Sequence, residues 1–334
     1  MNYHEALNNK VIVITGASGG VGRAAARAFA RYNTKIALLA RGAEGLESAR
    51  GEVEASGSEA LVILTDVADP VQVERAAKLV EDKWGKIDVW VNNAMLSVFS
   101  PFMEMTPEEF KRVTETTYLG AAYGTMAALK RMKPRNEGTI ILVGSALAFR
   151  GIPLQSAYCG AKHAVKGFFE SVSSELLHER SGVHICMVHL PALNTPHFDW
   201  VKSKLDRKPK PVGKIYQPEV AAEAIVFIAA HRRRSLVVGS TTAMTIAGSR
   251  LFPKLGDIIS ARYGYEGQLS PEPETPGKPD NLWEPVNEDR GAHGRFDDQA
   301  VNTSIQYRIS INRKKLLWAA SVVLLGAAIV KLMR

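Results

Sequence analysis

From residue 10 onward the chain alternates short apolar runs with longer amphipathic ones, the pattern of a parallel sheet whose strands are joined by crossover helices. Val11-Ile12-Val13-Ile14 reads as the first strand and Gly20 to Arg31 as its helix. Further strands follow at Ile36 to Ala40, Leu61 to Thr65, Val89 to Asn92, Thr139 to Val143, Val183 to Leu190 and Leu236 to Val238. Between them the helical periodicity covers Ala43 to Ser56, Pro70 to Trp84, Pro107 to Met132, Tyr158 to Leu177 and Pro218 to Ala230. Thr106, Pro107 and Glu109 supply the N-cap, the first-turn proline and the third-position acid that open a long helix. The order predicts an α/β fold, a doubly wound parallel sheet forming one domain over residues 1–265. Sheets of this kind hold ligands beyond the carboxyl ends of their strands.

Two later stretches break the pattern. Residues 266–309 carry five prolines between Gln268 and Pro285 and are strongly acidic from Glu266 to Asp298. That composition predicts an extended, mostly disordered linker. In residues 310–334, Leu316 to Val330 is a run of fifteen residues whose only polar member is Ser321, flanked by Arg313-Lys314-Lys315 and Lys331. As a helix it would cover about 22 Å, short of the ~30 Å hydrocarbon core unless the flanking lysines snorkel. The expectation is a C-terminal membrane helix with the catalytic domain facing the cytoplasm; an interfacial or oligomer-buried helix is the other reading.

The net charge of +8 changes the picture little, because six Lys or Arg and no acid lie from Val301 onward. The basicity belongs to the tail, and the domain carries no nucleic-acid signature. Cys159 and Cys186 form no metal or redox spacing and read as reduced thiols. The eight histidines show no ligand spacing, so no metal site is expected.

Candidate chemistry falls at the strand ends. Thr15-Gly16-Ala17-Ser18-Gly19-Gly20-Val21-Gly22 joins the first strand to its helix. Its glycines permit a tight turn and close approach of backbone to a pyrophosphate, which a helix N-terminus favours. Arg41 ends the second strand, where an arginine suits a 2′-phosphate and an acid would repel one. Asp66, beside Val67 at the end of the third strand, is either a partner for an adenine amine or a turn aspartate. Asn92-Asn93-Ala94 ends the fourth strand, where amides can brace backbone and reach a ribose. Ser145 follows the fifth. Tyr158 and Lys162, four residues apart, share one helix face, and a nearby cation would favour the phenolate.

With these pieces in sequence, the chain resembles the short-chain dehydrogenase/reductase family over about Asn8 to Gly248. The resemblance implies a Rossmann fold and an NADP(H)-preferring oxidoreductase, with NAD(H) possible, that interconverts a carbonyl and a secondary alcohol. Ser145 would hold the substrate oxygen, Tyr158 would act as general acid or base, and Lys162 would keep the tyrosine acidic and hold the nicotinamide ribose. Gly16, Ser18, Gly20, Val21, Gly22, Arg41, Asp66, Val67, Asn93, Ala94, Pro191 and Thr195 would complete the cofactor site. Thr117 stands where the family has a relay asparagine, Met95 where it has glycine, and Ala192 where glycine usually follows Pro191. The substrate segment, Asn194 to Gln217, carries His197, Phe198 and Trp200 with a basic run from Lys202 to Lys214. Its lysines would face an anionic membrane surface or an acidic substrate, or would simply be solvated. The implied substrate is small and apolar or lipid-like, and a homodimer or homotetramer is usual in the family. A cofactor-binding scaffold or sensor with little turnover is the alternative that Thr117 and Met95 keep open.

Overall fold

The computed structural model describes residues 3–313. Seven parallel strands form one sheet: Val11–Thr15, Lys35–Ala40, Glu59–Leu64, Val89–Asn92, Gly138–Ser145, Val183–Leu190 and Ser235–Val237. Numbered as they occur, they lie in the order seventh, sixth, fifth, fourth, first, second, third. The central strands are nearly unbroken runs of Val, Ile and Leu because both faces are covered, which removes the alternation a half-exposed strand would show. One face packs on the helices Gly20–Ala30 and Pro218–Ala230, with Phe29, Ile225 and Ile228 fully buried. The other packs on Pro70–Trp84, Gly120–Met132 and Ser156–His178 around Trp90 and Phe169. The strand order reverses between the first and fourth strands, and the crevice opens at their carboxyl ends.

The expected elements form with ends shifted by a few residues, and the capping signals act as their chemistry requires. Asp69 accepts from the Val71 and Gln72 amides and Gly85 closes the same helix with φ 79°. Thr106 and Glu109 make the reciprocal capping box. The helix expected over Pro107 to Met132 is not continuous. A π-helical turn over Glu115–Leu119 separates Pro107–Thr114 from Gly120–Met132, and it contains Thr117. Two helices that the hydrophobic pattern did not announce, Ser240–Leu251 and Pro253–Ile259, follow the last strand.

The disordered linker is a correction. Within residues 266–309, Leu269–Pro273 pairs antiparallel with Arg207–Pro209 of the substrate segment. Leu282, Ala292 and Phe296 are buried. Acids of this stretch meet the bases of the substrate segment and the domain: Glu266 with Arg207 at 2.6 Å, Glu272 with Lys208 at 2.7 Å, and Asp280 with Lys202 at 3.8 Å. Counted alone, the stretch is proline-rich and over-charged; set against the basic run, its charge is compensated and its apolar residues find a core. The lysines at 202 and 208 therefore face this chain's own acids, and Lys204 pairs with Glu109 at 2.9 Å.

The membrane expectation is also corrected. Among the described residues no helix is long and apolar enough to cross a membrane. The Leu316 to Val330 run, on which the anchor, the membrane location and the membrane partner all rested, lies outside the described residues.

The packed extension has a measurable consequence. Trypsin is expected to cut slowly after Arg290 and Arg295 in low salt and faster in ~1 M salt, where the screening length falls to ~3 Å and the ion pairs weaken. Immediate cleavage in low salt would return the stretch to a linker.

Candidate active site

Thr15 ties the first strand to the fourth. Its hydroxyl donates to the Val91 carbonyl oxygen at 3.2 Å and accepts the Asn93 and Ala94 amides at 2.9 and 3.0 Å. Asn93 returns the contact, its Nδ2 donating to the carbonyl oxygens of Thr15 and Gly16 at 2.9 and 3.3 Å. Gly16 adopts φ 68°, open to glycine at little strain, and a Cβ on Gly22 would lie 2.1 Å from the Gly16 carbonyl oxygen. These constraints bring the helix Gly20–Ala30 up against the loop with no side-chain cap at its N-terminus. The helix N-terminus thus faces the crevice, where first-turn N–H groups can meet an anion, with Gly20 N–H held by the Gly291 carbonyl oxygen at 3.1 Å.

Of the expected dinucleotide residues, Gly16, Ser18, Gly20, Val21, Arg41, Asp66, Val67, Asn93, Ala94 and Thr195 line one cleft. Gly22 packs beneath it. Ser145, Tyr158, Lys162 and Pro191 line an adjoining cavity of about 600 Å³, and Val21, Asn93, Met95, Thr195 and His197 border both. An uncapped helix N-terminus, a close-packed glycine loop and Arg41 at the far end form a donor set that fits a dinucleotide.

Several side chains are differently engaged than their positions suggest. Asp66 accepts from Arg112 at 2.5 Å and from the Ala68 amide at 3.0 Å, so it is a turn aspartate with a guanidinium partner. Arg41 donates to the carbonyl oxygens of Asn281, Leu282 and Trp283, and burial, then the charge of Arg112, lowers its pKa. Thr117, 1 % exposed, donates to the Leu96 carbonyl oxygen at 3.0 Å and accepts the Leu96 amide at 2.9 Å. Its hydroxyl proton is committed to backbone, so the π-helical turn pins the loop after the fourth strand.

In the cavity, Ser145 lies beside Tyr158, and its Oγ accepts the Leu147 amide at 3.1 Å. Lys162 is buried, donates to the Val143 carbonyl oxygen at 2.7 Å, and lies 5.6 Å from the Tyr158 ring centroid. Burial pushes its pKa down to about 8. Burial also raises the Tyr158 pKa, outweighing the opposing effect of Ser145. Burial thus opposes the acidifying effect expected of Lys162, and the phenol is protonated near neutrality. Burial likewise raises the Cys159 thiol to about 11, leaving it neutral.

Asn281, Pro285, Val286 and Glu288 also line the dinucleotide cleft. No local motif marks them. The usable signal was the charge complementarity between the basic run at 202–208 and the acids from Glu266 onward.

Comparison with known proteins agrees with this geometry. The short chain dehydrogenase family model matches residues 10–206, and the chain belongs to that family. It is 34% identical over 318 residues to an uncharacterized oxidoreductase, YxnA, of Bacillus subtilis, covering 95% of this chain and 88% of that one. It is 31% identical over 228 residues to 3-dehydrosphinganine reductase of Danio rerio, covering 66% and 68%. An alcohol dehydrogenase of Thermococcus sibiricus, solved with 5-hydroxy-NADP, superposes with a TM-score of 0.61 at 29% identity, covering 69% and 96%. A short-chain dehydrogenase/reductase of Burkholderia phymatum, solved with NAD, has the same fold with a TM-score of 0.67 at 23% identity, covering 76% and 96%. The protein is an NAD(P)(H)-dependent oxidoreductase, which sets the sensor reading aside.

Gly22→Ala tests the loop. Overpacking against the Gly16 carbonyl should destabilise the fold by ~1–3 kcal/mol and weaken NADPH binding, read by thermal unfolding and calorimetric titration. Unchanged affinity would remove the close contact from the cofactor site.

Proposed function

We propose that the protein is an NADP(H)-preferring oxidoreductase that interconverts a bulky apolar ketone and its secondary alcohol, with Tyr158 as general acid and base. The observation that carries this reading is the Ser145–Tyr158–Lys162 group in a cavity of about 600 Å³ that adjoins the dinucleotide cleft and has mostly apolar walls. Leu147, Ile152, Leu193, Phe198, Val212 and Ile259 are among the residues of that wall. A substrate filling it leaves water and buries apolar surface, and the few polar groups near Ser145 orient the carbonyl.

The dinucleotide, when bound, supplies or accepts the hydride. Ser145 donates to the substrate oxygen and fixes it against Tyr158. The Tyr158 hydroxyl gives its proton to that oxygen as negative charge develops there, and takes it back in the reverse direction. Lys162, charged below about pH 8, stabilises the phenolate left behind through an otherwise apolar site, where such a charge acts more strongly than in water. Pro191 and Thr195 shape the junction between cleft and cavity. Arg41 is the group that would favour a 2′-phosphate once its guanidinium leaves the carbonyl oxygens of residues 281–283, and the Thermococcus relative, solved with 5-hydroxy-NADP, supports that choice.

Tyr158→Phe should lower kcat for ketone reduction by ~10²- to 10⁴-fold with NADPH affinity unchanged. Retained turnover in that variant would exclude Tyr158 from the proton transfer. For reduction, kcat/KM should be flat at lower pH and fall through about pH 8 as Lys162 loses its charge. Lys162→Met should give a lower profile without that inflection; the same inflection in the variant would assign it to another group.

A further inference from the structure

The stretch Asn281–Gly291 runs across the dinucleotide cleft from one end to the other. At the Arg41 end, the Arg41 guanidinium donates to the carbonyl oxygens of residues 281–283, and Arg112 Nε donates to the Leu282 carbonyl oxygen at 3.1 Å. The Leu282 side chain is fully buried among Leu96, Val98, Val113 and Ala157, with Tyr158 packed on the same cluster. Pro285 lies over Gly42, and Pro285, Val286 and Glu288 face the cleft. At the glycine-loop end, Gly20 N–H donates to the Gly291 carbonyl oxygen at 3.1 Å. Asp289 anchors this end on Arg23, whose side chain is 4 % exposed and is held on its other side by Glu52 at 3.0 Å.

The cleft persists beneath the stretch, with a floor from the sheet ends and a roof from residues 281–288. A dinucleotide lying on that floor is enclosed by both. We propose that Asn281–Gly291 is a strap that forms the outer wall of the dinucleotide site: it lifts for the cofactor to enter or leave and holds it when closed. Three features support a wall that opens as a unit. Its contacts to the domain are concentrated at two ends, Leu282 and Asp289. The middle crosses by backbone and proline contacts, without ladder pairing. The ion pair at Asp289 is the kind of contact that can be broken and remade without unfolding the core. The strap rests on the dinucleotide cleft and is independent of the carbonyl substrate, so its test uses cofactor alone.

An ideal Cβ on Gly42 lies 3.3 Å from Pro285 Cβ, close to the ~3.5–4.5 Å of a disulfide. Gly42 has φ −87°, which a cysteine accepts. Both native cysteines are buried and do not compete. In the full chain carrying Gly42→Cys and Pro285→Cys, stopped-flow fluorescence of NADPH should show association and release each slowed at least ~10-fold in the oxidised form and restored by reductant, as for a closed lid. Thiol titration verifies the bond. Equal rates in the two redox forms, with the bond complete, would overturn the strap. The independent variant Asp289→Asn should speed NADPH release several-fold. Tighter NADPH binding in Asp289→Asn would also overturn it, since the stretch would then compete with the cofactor. Binding failure in both variants and in the native chain would instead count against the dinucleotide site itself.

Discussion

The hydroxyl of Thr15 and the amide of Asn93 hold together the two strands between which the sheet reverses its order. Everything catalytic depends on that junction. It fixes the glycine loop against the end of the fourth strand, leaving no space for a Cβ at Gly22 and aiming an uncapped helix N-terminus at the crevice. The junction is polar and partly buried, and the Thr15 hydroxyl and the Asn93 Nδ2 both bond across it, so it specifies one geometry instead of several. From it the dinucleotide cleft extends one way to Arg41 and the substrate cavity the other way to Tyr158.

The active site shows how burial acts on protonation. A phenol and an ammonium brought one helical turn apart suggest a pair in which the cation makes the phenol acidic. In the folded protein both are desolvated, the ammonium bonds a backbone carbonyl, and the phenol keeps its proton. The charge on Lys162 then matters most when the phenolate forms, because it acts on the transition state more than on the resting group. Thr117 follows a similar logic. Its hydroxyl, at the position of the family's relay asparagine, is spent on Leu96, and the π-helical turn makes it a brace for the loop that carries Met95.

The C-terminal third changes the surface of the site. A basic substrate segment and an acidic proline-rich stretch would each look solvated alone. Together they form a small two-stranded sheet and a set of ion pairs. Surface pairs of this kind stabilise little one by one. Here they accompany buried Leu282 and Phe296, and the apolar burial supplies what the ion pairs orient. The result is a dinucleotide cleft with walls on both sides.

The sequence by itself determined the sheet, its helices and the order of the site residues. Those signals are local: continuous apolar runs for buried parallel strands, caps at Asp69 and Thr106, glycines where backbone must approach backbone, and a four-residue offset from Tyr158 to Lys162. It could not show that Glu266 and Arg207, or Leu282 and Val113, are neighbours, because such contacts join residues far apart in the chain and no periodicity encodes them. The helices at Ser240–Leu251 and Pro253–Ile259 escaped notice for a related reason: Leu251, Phe252, Leu255 and Ile258 remain exposed, so the stretch lacks a single buried stripe. Only the tertiary structure decided the protonation of Tyr158, the engagement of Thr117 and Arg41, and the fold of residues 266–309. Each depends on desolvation or long-range packing, which residue order constrains but does not display.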